Sequence, residues 1–289
     1  MSKVVIIHGM NNDYRGVEQV LAGWLPALRD GMHLAGYAPI ADKQVAVGFY
    51  GHIFRPPGGS YPQRRLDHRD VQTPEERALL KSYWDEAVAA GEDVPKPEDD
   101  TKSFMTDMTQ RALLAVARTK FFKWLNDTDI IRSFVKEPVD YLTKPDIKQQ
   151  VQDAVAAALT PETRVVVAHS LGSIVAYEML TRQQTPWSVD TLLTLGSPLG
   201  IPTAVFERLT PAPVNGKGAF PNVKRWVNIA DKDDFVAAHK QLDTLFSTPS
   251  RQVEDMFVVN GEGQKQIHSV APYLSAKETG KVIAEGLGL

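Results

Sequence analysis

A serine flanked by small residues stands between an apolar run and a helical pattern, in Ala168–Gly172 (AHSLG). The β-branched residues before it and the amphipathic stretch after it predict a sharp strand-to-helix turn. Such a turn strains the serine backbone, excludes large neighbours and lifts the Ser170 hydroxyl above the sheet. It also puts the N–H of Leu171 at a helix N-terminus, where it can donate to an oxyanion. Ser170 is the predicted nucleophile; the alternative is an ordinary βα turn with an incidental serine.

A second element that could serve the same chemistry is the apolar run Val4–Ile7, which ends in His8 and Gly9. A glycine at this point lets the backbone approach a substrate oxygen closely. The N–H of Met10 is therefore the predicted second oxyanion donor. His8 has two interpretations, as part of the site or as a packed, hydrogen-bonded histidine of the core.

A serine nucleophile needs a base, and the chain has seven histidines. His268 is the predicted base, because it lies past the last predicted strand, on the same rim of a parallel sheet as Ser170. His169 adjoins the serine, so its side chain points away from it and packing is its expected role. His239 is the reserve candidate, although it lies in a predicted helix.

The base needs a carboxylate that orients it, and the segment WVNIADKDDFV supplies three. The predicted strand Arg225–Ile229 delivers Asp231, Asp233 and Asp234 to the same rim. Asp234 is the predicted acid, because Phe235 behind it can anchor it against the core. Asp231 is the close alternative, and two of the three aspartates are expected to cap a turn.

The stretches VVIIHGM, VVVAHSLGS, LLTLGSPLG, WVNIADKDDFV and HSVAPYLS together resemble the α/β-hydrolase superfamily, and within it bacterial lipase/esterase-like members. The resemblance covers roughly residues 3–51 and 150–289. It implies the order Ser…Asp…His, with the acid and the histidine after late strands, as Asp234 and His268 are here. A W-x-N-x-x-D-x-x-D-x-V pattern of such proteins also falls on Asp234. Ala168 replaces the first glycine of the usual G-x-S-x-G.

Short apolar runs alternate with helical stretches along the chain, which favours a mostly parallel sheet covered on both faces. The predicted strands are Val4–Ile7, Val45–Phe49, Val165–Ala168, Thr191–Leu195, Arg225–Ile229 and Val253–Val259. The predicted crossover and terminal helices are Val17–Arg29, Lys148–Leu159, Gly172–Arg182 and Ser275–Glu285. The expected fold is a three-layer α/β-hydrolase sandwich of about six strands that lacks the first two strands of the full fold.

Residues 52–143 interrupt this alternation and are predicted to form a helical insertion, with residues 1–51 and 144–289 as the core. Helices are expected at Pro74–Ala90, Ser103–Leu125 and Asp129–Val135. An insertion of this size is typical of a cap over an active site. Its apolar residues either pack on the core or line an acyl pocket: Phe104, Met105, Met108, Leu113, Leu114, Val116, Phe121, Phe122, Trp124 and Leu125.

Composition excludes several classes of protein. A net charge of −3 gives no basic field for nucleic acid, and the absence of cysteine removes disulfides, thiol catalysis and zinc–thiolate sites. The chain carries neither nucleotide-binding glycine motif and no H-E-x-x-H, so no cofactor or metal is expected. No apolar window spans a bilayer and no secretory signal is present, so the expected location is the cytoplasm.

The predicted function is cleavage of a carboxylic ester or thioester of a small acyl substrate by Ser170, His268 and Asp234. An acyltransferase and a serine peptidase use the same groups and remain alternatives. A binding module that kept the fold without turnover is a third. The sequence leaves the substrate-binding residues and the oligomeric state open.

Overall fold

The computed structural model describes residues 2–55, 65–96, 105–120, 122–182, 186–261 and 267–289. Within these residues one parallel sheet of six strands has the order β2-β1-β3-β4-β5-β6. The strands are β1 (Val4–Ile7), β2 (Val45–Gly48), β3 (Val165–His169), β4 (Thr191–Leu195), β5 (Arg225–Asp231) and β6 (Val253–Val258). The predicted six-stranded parallel sheet is confirmed. The largest difference is β5, which runs two residues further because Ala230 and Asp231 still pair with β6.

The helices fill the layers on both sides of this sheet. They are α1 (Val17–Leu34), α2 (Pro74–Ala89), α3 (Met105–Arg118), α4 (Asp127–Asp129), α5 (Glu137–Thr143), α6 (Pro145–Ala156), α7 (Leu171–Leu180), α8 (Asp243–Phe246), α9 (Val270–Ser275) and α10 (Lys277–Gly286). A π-helix occupies Ile130–Lys136, and short 3-10 helices occupy Asp42–Gln44, Gly51–Phe54, His68–Asp70, Phe122–Trp124 and Phe206–Arg208. The predicted terminal helix Ser275–Glu285 corresponds to α10, and the extended Ala276 separates it from the additional short helix α9.

Alternate side chains of each central strand pack into two separate hydrophobic cores, one on each face of the sheet. Val5 and Ile7 of β1 face one core with α6 and α7, whereas Val4 and Ile6 face the other with α1, α9 and α10. Burial of one such Val or Ile side chain contributes about 1.5–3 kcal/mol. The strands are therefore apolar on both faces because helices cover both faces, as the sequence predicts.

The segment between β2 and β3 packs on the first of these cores. Leu79, Tyr83 and Trp84 of α2 belong to the same buried cluster as Val166 and Ala168 of β3. Leu113, Val116 and Phe122 are buried, whereas Leu114 is exposed. Phe104 and Phe121 lie outside the described residues, as do the side chains of Met105 and Trp124.

The register of the strands brings their carboxyl ends to one edge of the sheet. Ile7 pairs with Ala168, His169 with Leu195, and Leu195 with Ile229. The loops that leave β1, β3, β4 and β5 therefore start side by side, and three of them carry predicted site residues.

Candidate active site

Ser170 occupies the sharp turn between β3 and α7. Its backbone angles, φ 54° and ψ −128°, lie in a region that residues other than glycine rarely adopt. A Cβ at Gly172 would lie 2.5 Å from the carbonyl oxygens of Ile7 and His8, so this position has no room for a side chain. Ser173 Oγ donates to the Ser170 carbonyl at 2.6 Å. The strained conformation is thus held by packing against β1 and by a local hydrogen bond.

Ser170, His268 and Asp234 form a continuous chain of hydrogen bonds. His268 Nδ1–H donates to Asp234 Oδ2 at 2.8 Å, which leaves Nε2 as an acceptor for the Ser170 hydroxyl, also at 2.8 Å. The serine, histidine and aspartate are 1%, 6% and 0% exposed. The structure therefore brings the predicted nucleophile, base and acid together in the geometry that proton transfer from serine requires.

The carboxylate of Asp234 is held on every side. Oδ1 accepts from the N–H groups of Val236 at 3.0 Å and Ala237 at 3.4 Å, and Oδ2 accepts from the Tyr273 hydroxyl at 2.8 Å besides His268. Burial disfavours its charged form, but the charge of His268 and these hydrogen bonds outweigh burial and lower the pKa of Asp234. Asp234 is therefore a carboxylate at neutral pH.

Asp231 binds backbone instead of an imidazole. Its Oδ1 accepts from the N–H of Asp233 at 2.8 Å, and its Oδ2 accepts from the N–H of Asn260 at 2.5 Å. The side chain of Asp233 is exposed. Asp231 thus closes the turn after β5 and supports the loop after β6, whereas Asp234 faces His268.

His8 and His169, which also lie near this edge, are buried and hydrogen-bonded to backbone groups. His8 Nε2 accepts from the Tyr50 N–H at 3.1 Å, and burial lowers the pKa of His8 to about 4. His169 Nε2 donates to the His268 carbonyl at 2.8 Å, and burial lowers the pKa of His169 to about 3. The expected packing role of His169 is confirmed. His239, the reserve base, lies in a bend rather than in the predicted helix, 3.1 Å from Thr244 Oγ1.

The loop after β1, which carries the Met10 N–H, packs against Ser170. A Cβ on Gly9 would lie 2.7 Å from Ser170 Cβ, which shows how closely this loop approaches Ser170. Asn12 Nδ2 donates to the carbonyls of Gly9 at 3.1 Å and Met10 at 3.0 Å. The Gly9 carbonyl and the Met10 N–H belong to the same planar peptide unit and point in opposite directions. The hydrogen bond from Asn12 to the Gly9 carbonyl therefore also fixes the direction of the Met10 N–H. Within the described residues, neither it nor the Leu171 N–H has an acceptor.

A buried polar cluster joins this loop to the segment between β2 and β3. Arg132 Nη1 lies 3.6 Å from Asp13 Oδ2, and the Asn11 N–H donates to Glu137 Oε2 at 3.4 Å. Burial, and then the charge of Asp13, raise the pKa of Glu137 to about 8. Glu137 is therefore mostly protonated at neutral pH. Through its bond from the Asn11 N–H, this residue of α5 holds the backbone next to Met10.

Glu137 makes the stability of the protein depend on pH. Its folded-state pKa of about 8 exceeds the ordinary value of 4.5, so the native state binds more protons than the unfolded state between these limits. The stability that it contributes is complete below about pH 4.5 and is lost as the pH rises through about 8. From pH 5 to pH 8, the free energy of unfolding of wild type should decrease more than that of Glu137→Gln. We expect the difference between the two decreases to be about 2–4 kcal/mol.

Urea denaturation at the two pH values measures this difference directly. Glu278→Gln is the matched control, because Glu278 is an exposed glutamate of α10 and is expected to leave the pH dependence unchanged. Parallel stability curves for Glu137→Gln and wild type would contradict the assignment of a proton to Glu137.

Aromatic side chains from the segment between β2 and β3 cover the histidine. The ring of Phe134, in the π-helix, is centred 6.3 Å from the His268 ring and 5.1 Å from the Phe122 ring. The Tyr83 hydroxyl donates to the Phe134 carbonyl at 3.2 Å. Ser170, which is hydrogen-bonded to His268, is 1% exposed. π-Helical turns are uncommon and occur often at functional sites.

Three residues of the site were not predicted from the sequence. Gly196 belongs to the site because a Cβ there would lie 2.8 Å from Asp234 Oδ2. It follows the end of β4 next to the serine turn, so the sequence signal for it was a small residue at the end of a neighbouring strand. Tyr273 lies in HSVAPYLS, five residues after His268, without a pattern that sets it apart. Glu137 looks like any acidic residue of a solvated helix, and only its burial distinguishes it.

The parallel six-stranded sheet, with a strained serine turn after its third strand in the chain, defines an α/β-hydrolase fold. A family model described as a PGAP1-like alpha/beta domain matches residues 132–232. This match and the parallel sheet fit the α/β-hydrolase superfamily. The match includes Ser170 and ends before Asp234 and His268. No curated protein and no solved structure gives a significant match.

Among the described residues, no group of three or more histidine and acidic side chains is arranged to hold a metal ion. Across the same residues, none of the helices has both the length and the apolar character needed to cross a membrane.

Proposed function

We propose that the chain is a serine hydrolase that cleaves a carboxylic ester or thioester through an acyl-enzyme intermediate. The observation that carries this proposal is the hydrogen-bonded chain from Ser170 Oγ through His268 to Asp234, with 2.8 Å at each step. A serine hydroxyl is a weak nucleophile unless a neighbouring base takes its proton, and an ionised, buried carboxylate stabilises the cation that results.

Acylation begins with attack of Ser170 Oγ on the substrate carbonyl carbon, while His268 Nε2 takes the hydroxyl proton. The carbonyl π electrons move to oxygen, and the N–H groups of Met10 and Leu171 donate to the oxyanion. The loss of one such donor typically costs about 100–1,000-fold in rate. The tetrahedral intermediate then breaks its C–O or C–S bond, and His268 gives the proton to the leaving alcohol or thiol.

Deacylation uses the same groups in reverse. His268 takes a proton from water, the hydroxide equivalent attacks the acyl carbon, and the bond to Ser170 Oγ breaks. His268 returns the proton to Ser170 and the carboxylic acid leaves. Asp234 keeps its negative charge throughout, because its role is to hold and stabilise the imidazolium.

Residues 52–143 are proposed as a cap on a core made of residues 1–51 and 144–289. The proposal is supported by the aromatic cover over His268 and by the burial of Ser170. Substrate has to displace part of this cover, and the apolar side chains Phe122 and Phe134 favour an aliphatic acyl group such as a medium-chain or lipid-like ester.

Hydrolysis of p-nitrophenyl esters and of acyl thioesters with graded chain length tests the proposal. We expect Ser170-dependent release of product, with a preference for aliphatic acyl groups of medium length. A parallel reaction with an added alcohol or amine separates hydrolysis from acyl transfer, because transfer gives a new ester or amide. Failure to cleave any ester or thioester of the series would contradict the proposal.

A further inference from the structure

The hydroxyl of Tyr273 contacts Asp234, the candidate acid, and is fixed by two hydrogen bonds. This residue of α9 is fully buried. Its hydroxyl donates to Asp234 Oδ2 at 2.8 Å and accepts from the Asp231 N–H at 2.8 Å. Since the oxygen is engaged by a backbone donor of β5, the hydroxyl hydrogen has the carboxylate as its acceptor.

Tyr273 and His268 share one oxygen of Asp234. Oδ1 is occupied by the two backbone donors of the turn, so Oδ2 is the atom that joins the acid to the imidazole. The turn bonds hold Oδ1, and the phenol of Tyr273 holds Oδ2. The position of Oδ2 sets the direction of the His268 Nδ1–H bond, and through the ring the position of Nε2.

The surroundings of this contact leave little room for another arrangement. Gly196 has φ +53°, and a Cβ there would lie 2.8 Å from Asp234 Oδ2 and 3.1 Å from both His268 Nδ1 and the Tyr273 ring. The absence of a side chain at Gly196 therefore makes space for three groups to meet. Packing around Gly196 and the hydrogen bonds together restrict the positions of the Asp234, His268 and Tyr273 side chains.

Charge supports the same arrangement. Burial, and then the charge of Asp234, raise the pKa of Tyr273 well above its ordinary range, so the phenol keeps its proton at neutral pH. The titratable groups that face Asp234 are His268, His169, Tyr83 and Tyr273. Tyr273 supplies the neutral hydrogen bond that helps keep a fully buried carboxylate ionised.

We propose that Tyr273 is a positioning residue that holds the carboxylate of Asp234 in line with His268, an inference that rests on the proposed hydrolase function. The end of β5 also supports the loop that carries His268. Asp231 Oδ2 binds the Asn260 N–H, and Asn260 Nδ2 donates to the Ile267 carbonyl at 2.9 Å, next to His268. The acid and the base thus share one support at the end of β5.

Tyr273→Phe removes the hydroxyl and keeps the ring, and Tyr177→Phe is its matched control. Tyr177 is also fully buried and donates one hydrogen bond, to the Ala219 carbonyl at 3.0 Å, in a different part of the core. We expect Tyr273→Phe to lower kcat by about tenfold, as the loss of one charge-assisted hydrogen bond does, with KM within about twofold of wild type. The acid limb of kcat/KM should move to higher pH, because a carboxylate that has lost one donor holds a proton on the pair more tightly.

A second measurement does not depend on turnover. The low-field proton resonance of His268 Nδ1–H, assigned by its loss in His268→Asn, reports the bond to Asp234. We expect this resonance to shift or broaden in Tyr273→Phe and to stay unchanged in Tyr177→Phe.

The two measurements separate failure of this inference from failure of the proposed function. A Tyr273→Phe protein with the wild-type resonance and the wild-type pH profile would overturn the positioning role. Equal loss of activity in both tyrosine variants would overturn it as well, because a general packing role would then suffice. A changed resonance in Tyr273→Phe, in a chain whose wild type cleaves no acyl substrate, would retain the positioning role and reject the hydrolase.

Discussion

Replacement of Ser170 by alanine is expected to lower kcat for a p-nitrophenyl ester by at least about 10⁴-fold, because the variant has no atom that can form the acyl bond. The remaining rate would come from the oxyanion donors and from binding alone. Folding should be little affected, since the alanine side chain is smaller than that of serine. The measurement is steady-state hydrolysis, with circular dichroism to show that the variant is folded.

Ser250→Ala is the control for this substitution. Ser250 is an exposed serine of the turn before β6, and its variant is expected to keep wild-type activity. Ser173 is unsuitable, because its hydroxyl bonds the Ser170 carbonyl and supports the strained turn. Retention of most ester hydrolysis by Ser170→Ala would mean that another group is the nucleophile.

Asp234→Asn should cost about 10³–10⁴-fold in kcat, and Asp231→Asn less than about tenfold. An amide at position 234 can present an N–H to His268 Nδ1, which favours the tautomer that cannot accept the Ser170 proton. An amide at position 231 keeps an oxygen that can accept one of the two backbone N–H groups that Asp231 binds. Steady-state hydrolysis of one ester by both variants gives the ranking.

The same pair of variants has a clear contrary outcome. If Asp231→Asn were the slower enzyme, the orienting role would belong to Asp231 and the contact between Asp234 and His268 would be structural. Thermal unfolding of both variants controls for loss of the turn after β5, because Asp231 supports that turn through backbone hydrogen bonds.

The strands and the serine turn could be predicted because their signals are local. β1 and β4 have the predicted bounds, since continuous β-branched and apolar runs suit a sheet that is covered on both faces. The turn at Ser170 follows from small residues between a strand and a helix. The edge that collects the site follows from topology, because parallel strands end at one side.

The contacts that complete the site depend on tertiary structure and left no local signal. Both Asp231 and Asp234 fit the sequence pattern, and which of them contacts His268 depends on how the chain turns after β5. The π-helix Ile130–Lys136 falls where an ordinary helix is predicted, because side-chain periodicity over two turns does not distinguish them. The raised pKa of Glu137 comes from burial and from Asp13, far away in the sequence.

The most direct test of Ser170 as the nucleophile is the site of a covalent adduct with a fluorophosphonate probe, located by intact mass and peptide mapping. We predict one adduct per chain, on Ser170, and loss of that adduct in Ser170→Ala but not in Ser250→Ala. An adduct on a different residue, or no adduct on folded protein under conditions that label a known serine esterase, would contradict it.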